Sequence, residues 1–245
     1  MNTTTTTPLL PEATAQQLAA ELTELAQQER TTLGVADANY LLKLVQWQRI
    51  FAITGRVLML GCFWSAWFLL PAVLLLALAK IIDNMEIGHN VLHGQYDFLQ
   101  HRYLNSKHFE WDIACDAKSW QRTHNFEHHT FTNIIGKDRD FGYGLLRLSN
   151  DFRWRLRNLW QVITYFMLST LFQWGVSYHE LAAQRVFFGK KKADRHTQVS
   201  DHELKRAFFG KGFKQLAKDY VFFPLLCWPV FGWVLLGNFL ANLIR

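Results

Sequence analysis

Five histidines in two short clusters are the residues of this chain whose types and spacing can do chemistry. His89 and His93 are four residues apart, and His124, His128 and His129 repeat that spacing with one more histidine. On a helix, residues four apart lie on one face, whereas His129 is expected about 100° further round at about 3.6 residues per turn. Neutral imidazole binds iron, zinc and copper. The pattern predicts a metal site in which two adjacent histidines serve two neighbouring metals.

Iron suits this histidine set better than structural zinc. No cysteine is close to either cluster in the sequence, and structural zinc usually takes thiolate ligands. One pair of histidines with this spacing is a weak signal, because it arises often by chance. Two such pairs close together in the chain, the second ending in His-His, are a much stronger indication of a metal site.

The residues around both clusters resemble the membrane fatty-acid desaturases of the bacterial acyl desaturase type. That family has the boxes H-x3-4-H, H-x2-3-H-H and H/Q-x2-3-H-H, and the first two are present as His89-x3-His93 and His124-x3-His128-His129. The flanking residues Gly-His-Asn-Val-Leu-His-Gly, Glu-Trp-Asp, Thr-Asn and Asp-Arg-Asp-Phe-Gly are similar too. The likeness is dense over residues 80–150 and looser beyond them. The third box is absent from this sequence.

The resemblance implies a di-iron centre with the five histidines as iron ligands. Removing hydrogen from an unactivated methylene is beyond any side-chain acid or base, so a metal–oxygen oxidant must supply it. The implied reaction uses O2 and two electrons to place a cis double bond in a long-chain acyl substrate, whose carrier stays open. The implied electron donor is a separate protein of the ferredoxin or cytochrome b5 type with its reductase. No side chain is named as a catalytic acid, base or nucleophile.

Further residues are candidates for holding ligand imidazoles, fixing loops or binding substrate. They are Glu86, Asn90, Asp112, Trp120, Asn133, Asp138 and Asp140. Glu86 and Asn90 share a helical face with the first histidine pair, and a carboxylate there can accept the second N–H of a ligand imidazole. Asp112 and Trp120 are candidates for an acyl tunnel or head-group site. The remaining histidines lack the box spacing and are interpreted as surface or interfacial residues: His101, His108, His179, His196 and His202.

The composition predicts an all-α integral membrane protein. Half of the 245 residues are hydrophobic and 15% are aromatic, and the apolar residues form long runs. The expected architecture is a transmembrane helical hairpin with cytoplasmic or interfacial helices that carry the histidines. The net charge of +6 is typical of basic loops on the cytoplasmic side. No nucleic-acid motif accompanies it, so no nucleic-acid partner is expected.

Three segments are predicted along the chain: a disordered N-terminus over 1–12, amphipathic helices over 13–50 and a membrane desaturase domain over 51–245. The hairpin is expected as spans over 51–70 and 72–92, with Pro71 between them. Lys80 and Asp83 sit three residues apart in the second span, so they either neutralise each other or mark a functional polar site. The two interpretations stay open.

Two later apolar stretches are harder to place. Basic sequence lies on both sides of 159–178, including the stretch over 190–218, and basic flanks belong in the cytoplasm. We therefore expect 159–178 to be interfacial rather than a complete span. The apolar stretch over 222–243 contains Pro224, Pro229 and Gly232, which are expected to kink it.

The arithmetic of ligands predicts that this chain is a truncated desaturase. Two irons with roughly four to six ligands each require more than five imidazoles. We expect a protein of a bacterial cell membrane with its site facing the cytoplasm. The alternatives are a membrane di-iron hydroxylase of a lipid or hydrocarbon, and a non-catalytic membrane protein that binds zinc.

Overall fold

A computed structural model describes residues 10–181, 183–188 and 199–245, and helices joined by loops are the regular secondary structure of this part of the chain. No strand occurs among these residues, which confirms the all-α prediction for them. The helices are α1 (Glu12–Thr32), α2 (Val35–Gly61), α3 (Ala66–Leu92), α4 (Ala117–Trp120, Gln121–His128 and His129–Phe131 in one continuous run), α5 (Gln161–Thr170), α6 (Phe172–Glu180), α7 (Ala183–Phe188), α8 (Asp201–Leu226) and α9 (Trp228–Ile244). Short 3₁₀ turns occupy Asp97–Leu99, Gly142–Gly144 and Leu156–Trp160.

The contacts divide the chain into a small unit, Met1–Leu41, and a large unit, Leu42–Arg245. The small unit holds α1, which covers the first part of the region over 13–50 where amphipathic helices are predicted. The predicted break at residue 50 falls inside the continuous helix α2. Most of the predicted disordered N-terminus, residues 1–9, and residues 189–198 of the basic stretch lie outside the described residues.

The turn of the predicted hairpin lies earlier in the chain than expected. Helix α2 ends at Gly61, and α3 starts after Ser65, whose hydroxyl accepts a hydrogen bond from the backbone N–H of Trp67 at 3.4 Å. Pro71 lies near the start of α3, where a missing backbone N–H costs little. The predicted boundaries 51–70 and 72–92 are therefore wrong, because Ser65 and not Pro71 separates the helices.

The large unit has one core where α2, α3 and α9 pack together. Met59, Leu76, Ala77 and Val234 are among the side chains buried there. Gly55 allows this approach, since a Cβ at this position would lie 3.1 Å from the carbonyl oxygen of Ala72. Packing in this core fixes the orientation of α3, and thereby the position of His89 near the C-terminal end of the helix.

By length and composition alone, α3 is a candidate membrane span among the described helices, and α8 with α9 forms a second candidate if the pair is one broken span. These two helices bend by 106° at Cys227. The bend lies between Pro224 and Pro229, as the prolines predicted, and not at Gly232. Helices α5 and α6 are separated at Leu171, and neither reaches the ~20 residues of a membrane span.

A buried charge network ties α3 to α8. Lys80 lies 3.1 Å from Asp219 and 3.5 Å from Asp112, and Lys218 also contacts Asp112. Asp83 instead accepts a hydrogen bond from the backbone N–H of Asp112 at 2.8 Å. The proposed neutralisation of Lys80 by Asp83 is therefore wrong, since Lys80 pairs with carboxylates from distant parts of the chain.

Candidate metal centre

The structure brings the five box histidines into one cluster, hereafter the histidine cluster. One ring nitrogen each of His89, His93 and His124 lies within 4.8 Å of the others. The ring of His129 is centred 4.9 Å from that of His93 and 5.0 Å from that of His124, and the ring of His128 is 5.1 Å from that of His124. The predicted convergence of the two boxes is therefore observed.

Both boxes are carried by helices with π-helical turns. The π-helical segment Ile82–Gly88 leads directly into His89, and Gln121–His128 contains His124 and His128. A π-helix bonds residue i to i+5 and is therefore wider than an α-helix. Residues five apart then come closer to one face, and the rings of His124 and His129 are centred 5.0 Å apart. Helix α4 therefore directs three imidazoles to one place.

Two carboxylates orient two imidazoles of the second box. Nδ1 of His124 lies 2.8 Å from Oδ2 of Asp140, and Nδ1 of His128 lies 3.0 Å from both oxygens of Asp138. A carboxylate can only accept, so each Nδ1 carries a proton, and in the neutral imidazole Nε2 then keeps its lone pair. Carboxylate–histidine pairs of this kind orient metal ligands. Asp138 and Asp140 thus lie where the sequence placed them as orienting residues.

Asp138 also fixes the loop that follows the second box. Its carboxylate accepts the backbone N–H groups of Asn133, Asp140 and Phe141 at 2.7, 2.9 and 3.2 Å. Asn133 adopts φ +62°, a left-handed conformation that asparagine tolerates. The role of Asn133 that the structure shows is therefore loop formation through its backbone.

An aromatic layer lies beneath the imidazoles. Trp120 stacks on His124 with ring centres 4.4 Å apart and contacts His89 and His93 at 5.4 Å. Beneath it lie Trp111 and other buried apolar side chains from α3, α4 and α6. Gly88 is required beside this layer, because a Cβ there would lie 2.8 Å from a backbone oxygen and 3.2 Å from the Trp111 ring. The layer keeps water from one side of the cluster.

The ring nitrogens of the cluster are better placed to coordinate a metal than to hydrogen-bond to one another. Nε2 of His93 lies 3.2 Å from Nε2 of His89. A single shared proton can form a hydrogen bond between these two nitrogens, but it provides no donor for the lone pairs of the other imidazoles in the cluster. Burial and the neighbouring imidazoles lower the pKa of His93 to about 4 and also lower the pKa of His129. The two imidazoles therefore stay neutral near pH 7, which is the form that binds metals. This donor set fits iron, zinc or copper.

Three of the predicted residues do not touch the histidine cluster through their side chains. The Glu86 carboxylate is exposed and has no hydrogen bond to any described residue. The Asn90 amide donates to the backbone carbonyl of Glu86 at 2.7 Å. Asp112 belongs to the charge network, so the structure does not bring it to the imidazoles. Trp120 is at the cluster, as a ring that packs against ligands.

The sequence analysis missed His179 and Glu180. His179 was interpreted as a surface residue, and that is wrong, because its Nε2 lies 3.4 Å from Oδ1 of Asp140. Glu180 is buried next to it. Neither lies near a box in the sequence, and only the fold of α6 onto the second-box loop reveals them. His101, His108 and His202 are exposed, as predicted, and His196 lies outside the described residues.

Similar proteins were found for most of this chain. Over 218 residues, 89% of its length, the chain is 40% identical to the NADPH-dependent stearoyl-CoA 9-desaturase of two strains of Mycobacterium tuberculosis. By sequence, the chain is therefore similar to fatty-acid desaturases over most of its own length. A second relative, the sn-1 linoleoyl-lipid 6-desaturase of Synechocystis sp., is 32% identical over 79 residues, which are 31% of this chain and 21% of that relative.

The chain spans about half the length of the mycobacterial desaturases, since the alignment covers 49% of each. No protein-family model and no solved structure matches it significantly. The similarity to desaturases therefore comes from these relatives, and it agrees with the resemblance of the two histidine boxes.

Proposed function

We propose that this protein takes part in acyl desaturation, with iron bound by His89, His93, His124, His128 and His129. The observation that carries the proposal is the histidine cluster: five imidazoles converge, and carboxylates hold two of them with Nε2 free. Bound iron supplies the O2-dependent oxidation of an unactivated methylene, which no side chain can perform. Two irons are the metal content that we propose for the working enzyme, with ligands beyond these five imidazoles completing the centre.

The chain's own residues position the ligands and restrict access to them. Asp138 and Asp140 hold the imidazoles of His128 and His124 in one tautomer. Trp120 and the apolar side chains beneath it exclude water from one side of the cluster. These are the requirements of a centre that must keep a reactive oxidant from side reactions.

We propose that an apolar groove along α6 receives part of the acyl chain. The groove has a volume of about 510 Å³ and is lined by Leu171, Trp174, Gly175, Tyr178 and others from α5, α6 and α8. The same helix sends Val176 into the apolar layer beneath the histidine cluster. Helix α6 thus connects a site of suitable size for a small apolar ligand with the candidate metal centre.

The membrane and the electron donor complete the proposal. Helix α3 is apolar and long enough to cross a bilayer, and its C-terminal end carries the first box. We propose that the cluster lies at the cytoplasmic membrane surface. The mycobacterial relatives are named as NADPH-dependent desaturases, and we propose a separate NADPH-linked reductase chain as the electron source.

Product analysis tests the proposed reaction. The protein is expressed in a bacterial host together with an NADPH-linked reductase system, and the acyl chains are analysed by mass spectrometry. We expect new cis-unsaturated chains with the wild-type protein and none with His93→Ala. Hydroxylated chains would assign a hydroxylase instead. A zinc-loaded protein without an O2-dependent product would contradict the proposal.

The groove has its own test. Gly175→Leu adds a side chain where no atom lies within 4 Å of the new Cβ, so it fills the groove without a backbone clash. We expect the product to shift toward shorter acyl chains. Gly210→Leu, at another open helical glycine that does not line the groove, is the matched control. An unchanged chain-length profile in Gly175→Leu would show that the acyl chain lies elsewhere.

A further inference from the structure

A second group of metal-binding side chains lies behind the histidine cluster. One ligand atom each of Asp140, His179 and Glu180 lies within 4.8 Å of the others. Asp140 comes from the loop after α4, and the other two residues come from the end of α6. Two carboxylates and an imidazole from separate segments are thus brought together in the folded chain.

The three ligand atoms lack hydrogen-bond partners. Oδ1 of Asp140, Nε2 of His179 and Oε2 of Glu180 are each buried, and among the described residues none has a partner. The 3.4 Å between Nε2 of His179 and Oδ1 of Asp140 is longer than an ordinary N–H···O bond. Glu180 is only 2% exposed. A buried carboxylate oxygen without a partner is costly, so a cation between these atoms would satisfy all three.

Two nearby arginines form hydrogen bonds to backbone carbonyls of α6 and not to these three ligand atoms. Arg139 donates to the backbone carbonyl of His179 at 2.5 Å, and Arg122 donates to that of Glu180 at 3.3 Å. Arg139 also lies 3.7 Å from the carboxylate of Glu127. The guanidinium groups therefore cap the end of α6 through its carbonyl oxygens. The end of a helix also carries a partial negative charge, which favours a cation nearby.

The side chains are held in place for a ligand. The Tyr143 ring packs on the His179 ring with centres 4.9 Å apart, and Tyr143 keeps a left-handed φ of +52°. Asp140 is fixed by its bond to His124. Burial and the nearby Asp140 raise the pKa of Glu180 well above its ordinary value, and they outweigh the charges of Arg139 and Arg122, which act in the opposite direction.

We propose that Asp140, His179 and Glu180 bind a divalent transition-metal cation, at a site separate from the histidine cluster and joined to it through Asp140. One oxygen of Asp140 faces His124 and the other faces this second site. Carboxylates suit manganese and imidazole suits zinc or iron, so the class is Mn²⁺, Fe²⁺ or Zn²⁺. The site does not depend on the acyl reaction proposed above.

Titration with Mn²⁺ tests this site in the purified, metal-stripped protein. Bound Mn²⁺ is counted by electron paramagnetic resonance. We expect His179→Gln/Glu180→Gln to bind one equivalent less than wild type, while the exposed control His202→Gln/Glu29→Gln binds as wild type. His89→Ala/His93→Ala should keep this equivalent, which separates the second site from the histidine cluster. Equal binding by wild type and His179→Gln/Glu180→Gln would overturn the proposal.

A spectroscopic measurement decides the matter even if that double variant fails to fold. In the His89→Ala/His93→Ala protein, electron spin-echo modulation should show Mn²⁺ coupled to a single imidazole nitrogen, that of His179. Bound Mn²⁺ without any imidazole coupling, or no bound Mn²⁺, would overturn the proposal.

Discussion

The histidine cluster and the charge network are two polar groups attached to the same helix, α3, and they are built on opposite principles. In the charge network, Lys80 is 4% exposed and Asp219 is fully buried, yet opposite charges face each other. The amides of Gln215 and Asn242 add hydrogen bonds to the same carboxylate of Asp219. In the histidine cluster, like groups face each other, with Nε2 of His89 3.2 Å from Nε2 of His93.

This difference separates a polar group whose charges are paired from one whose lone pairs face each other. Buried charges persist when they are paired and hydrogen-bonded. In the network, Asp219 faces Lys80 at 3.1 Å and Lys218 at 3.8 Å, although its Oδ1 has no hydrogen bond to a described residue. Facing imidazole lone pairs are not satisfied by each other. The network therefore holds α3 against α8, whereas the histidine cluster has the donor set that a metal site requires.

The largest effect is expected where a ligand of the cluster is removed. His93→Ala deletes the imidazole that contacts His89, His124 and His129, so we expect it to lose the bound iron. Iron is measured by mass spectrometry of the purified protein after loading with Fe²⁺. The exposed residue His202 supplies the control His202→Ala. Full iron content in His93→Ala would show that the histidine cluster, like the charge network, does not bind the metal.

In the charge network, breaking the pair should destabilise the fold without removing the metal. Lys80→Met leaves the buried Asp219 with only the more distant Lys218, 3.8 Å away, as a cation, and breaking a buried pair costs about 3–5 kcal/mol. Denaturant unfolding in detergent measures the loss, with the exposed residue changed in Lys118→Met as the control. Iron bound per folded chain should stay at the wild-type level. An unchanged free energy of unfolding would show that the pair does not hold α3 in place.

A smaller effect is expected from the carboxylate that orients His128. Asp138→Asn keeps the size of the side chain but removes the charge that holds Nδ1–H. Loss of such a partner typically lowers metal affinity by about 10–100-fold. Competition with a chelator measures it, and the exposed change Asp151→Asn is the control. Wild-type affinity would mean that Asp138 serves the loop alone.

The smallest effect is expected at Glu86. Its carboxylate is exposed and has no hydrogen bond to a described residue, so Glu86→Gln should change the free energy of unfolding by less than about 0.5 kcal/mol. Iron affinity should also stay within about twofold of wild type. A tenfold loss of iron affinity would place Glu86 among the groups that hold the ligands, as the sequence first indicated.

Local patterns in the sequence predicted most of the metal centre but little of what surrounds it. The spacing of His89 with His93, and the resemblance of the flanking residues, located the five imidazoles and Asp138 and Asp140. The π-helical turns were missed because the motif was placed on an ordinary α-helix. The hairpin turn was misplaced at Pro71, since a proline in the first turns of a helix gives the same local signal as a loop.

Long-range contacts account for the other differences. Lys80 and Asp83 were considered together because they are close in sequence, yet Lys80 pairs with Asp219 from α8. His179 carried no motif, and it became relevant only when α6 packed beside the loop of Asp140. Neither contact, Lys80 with Asp219 or His179 with Asp140, produces a spacing pattern that can be recognised in a single sequence.

X-ray absorption at the iron edge tests the central claim most directly. The account predicts that iron in the wild-type protein shows imidazole scattering from several histidines and no sulfur ligand, and that His93→Ala removes most of the bound iron. Iron that binds without imidazole scattering, or equally well in His93→Ala, would contradict the assignment of the histidine cluster as the metal centre.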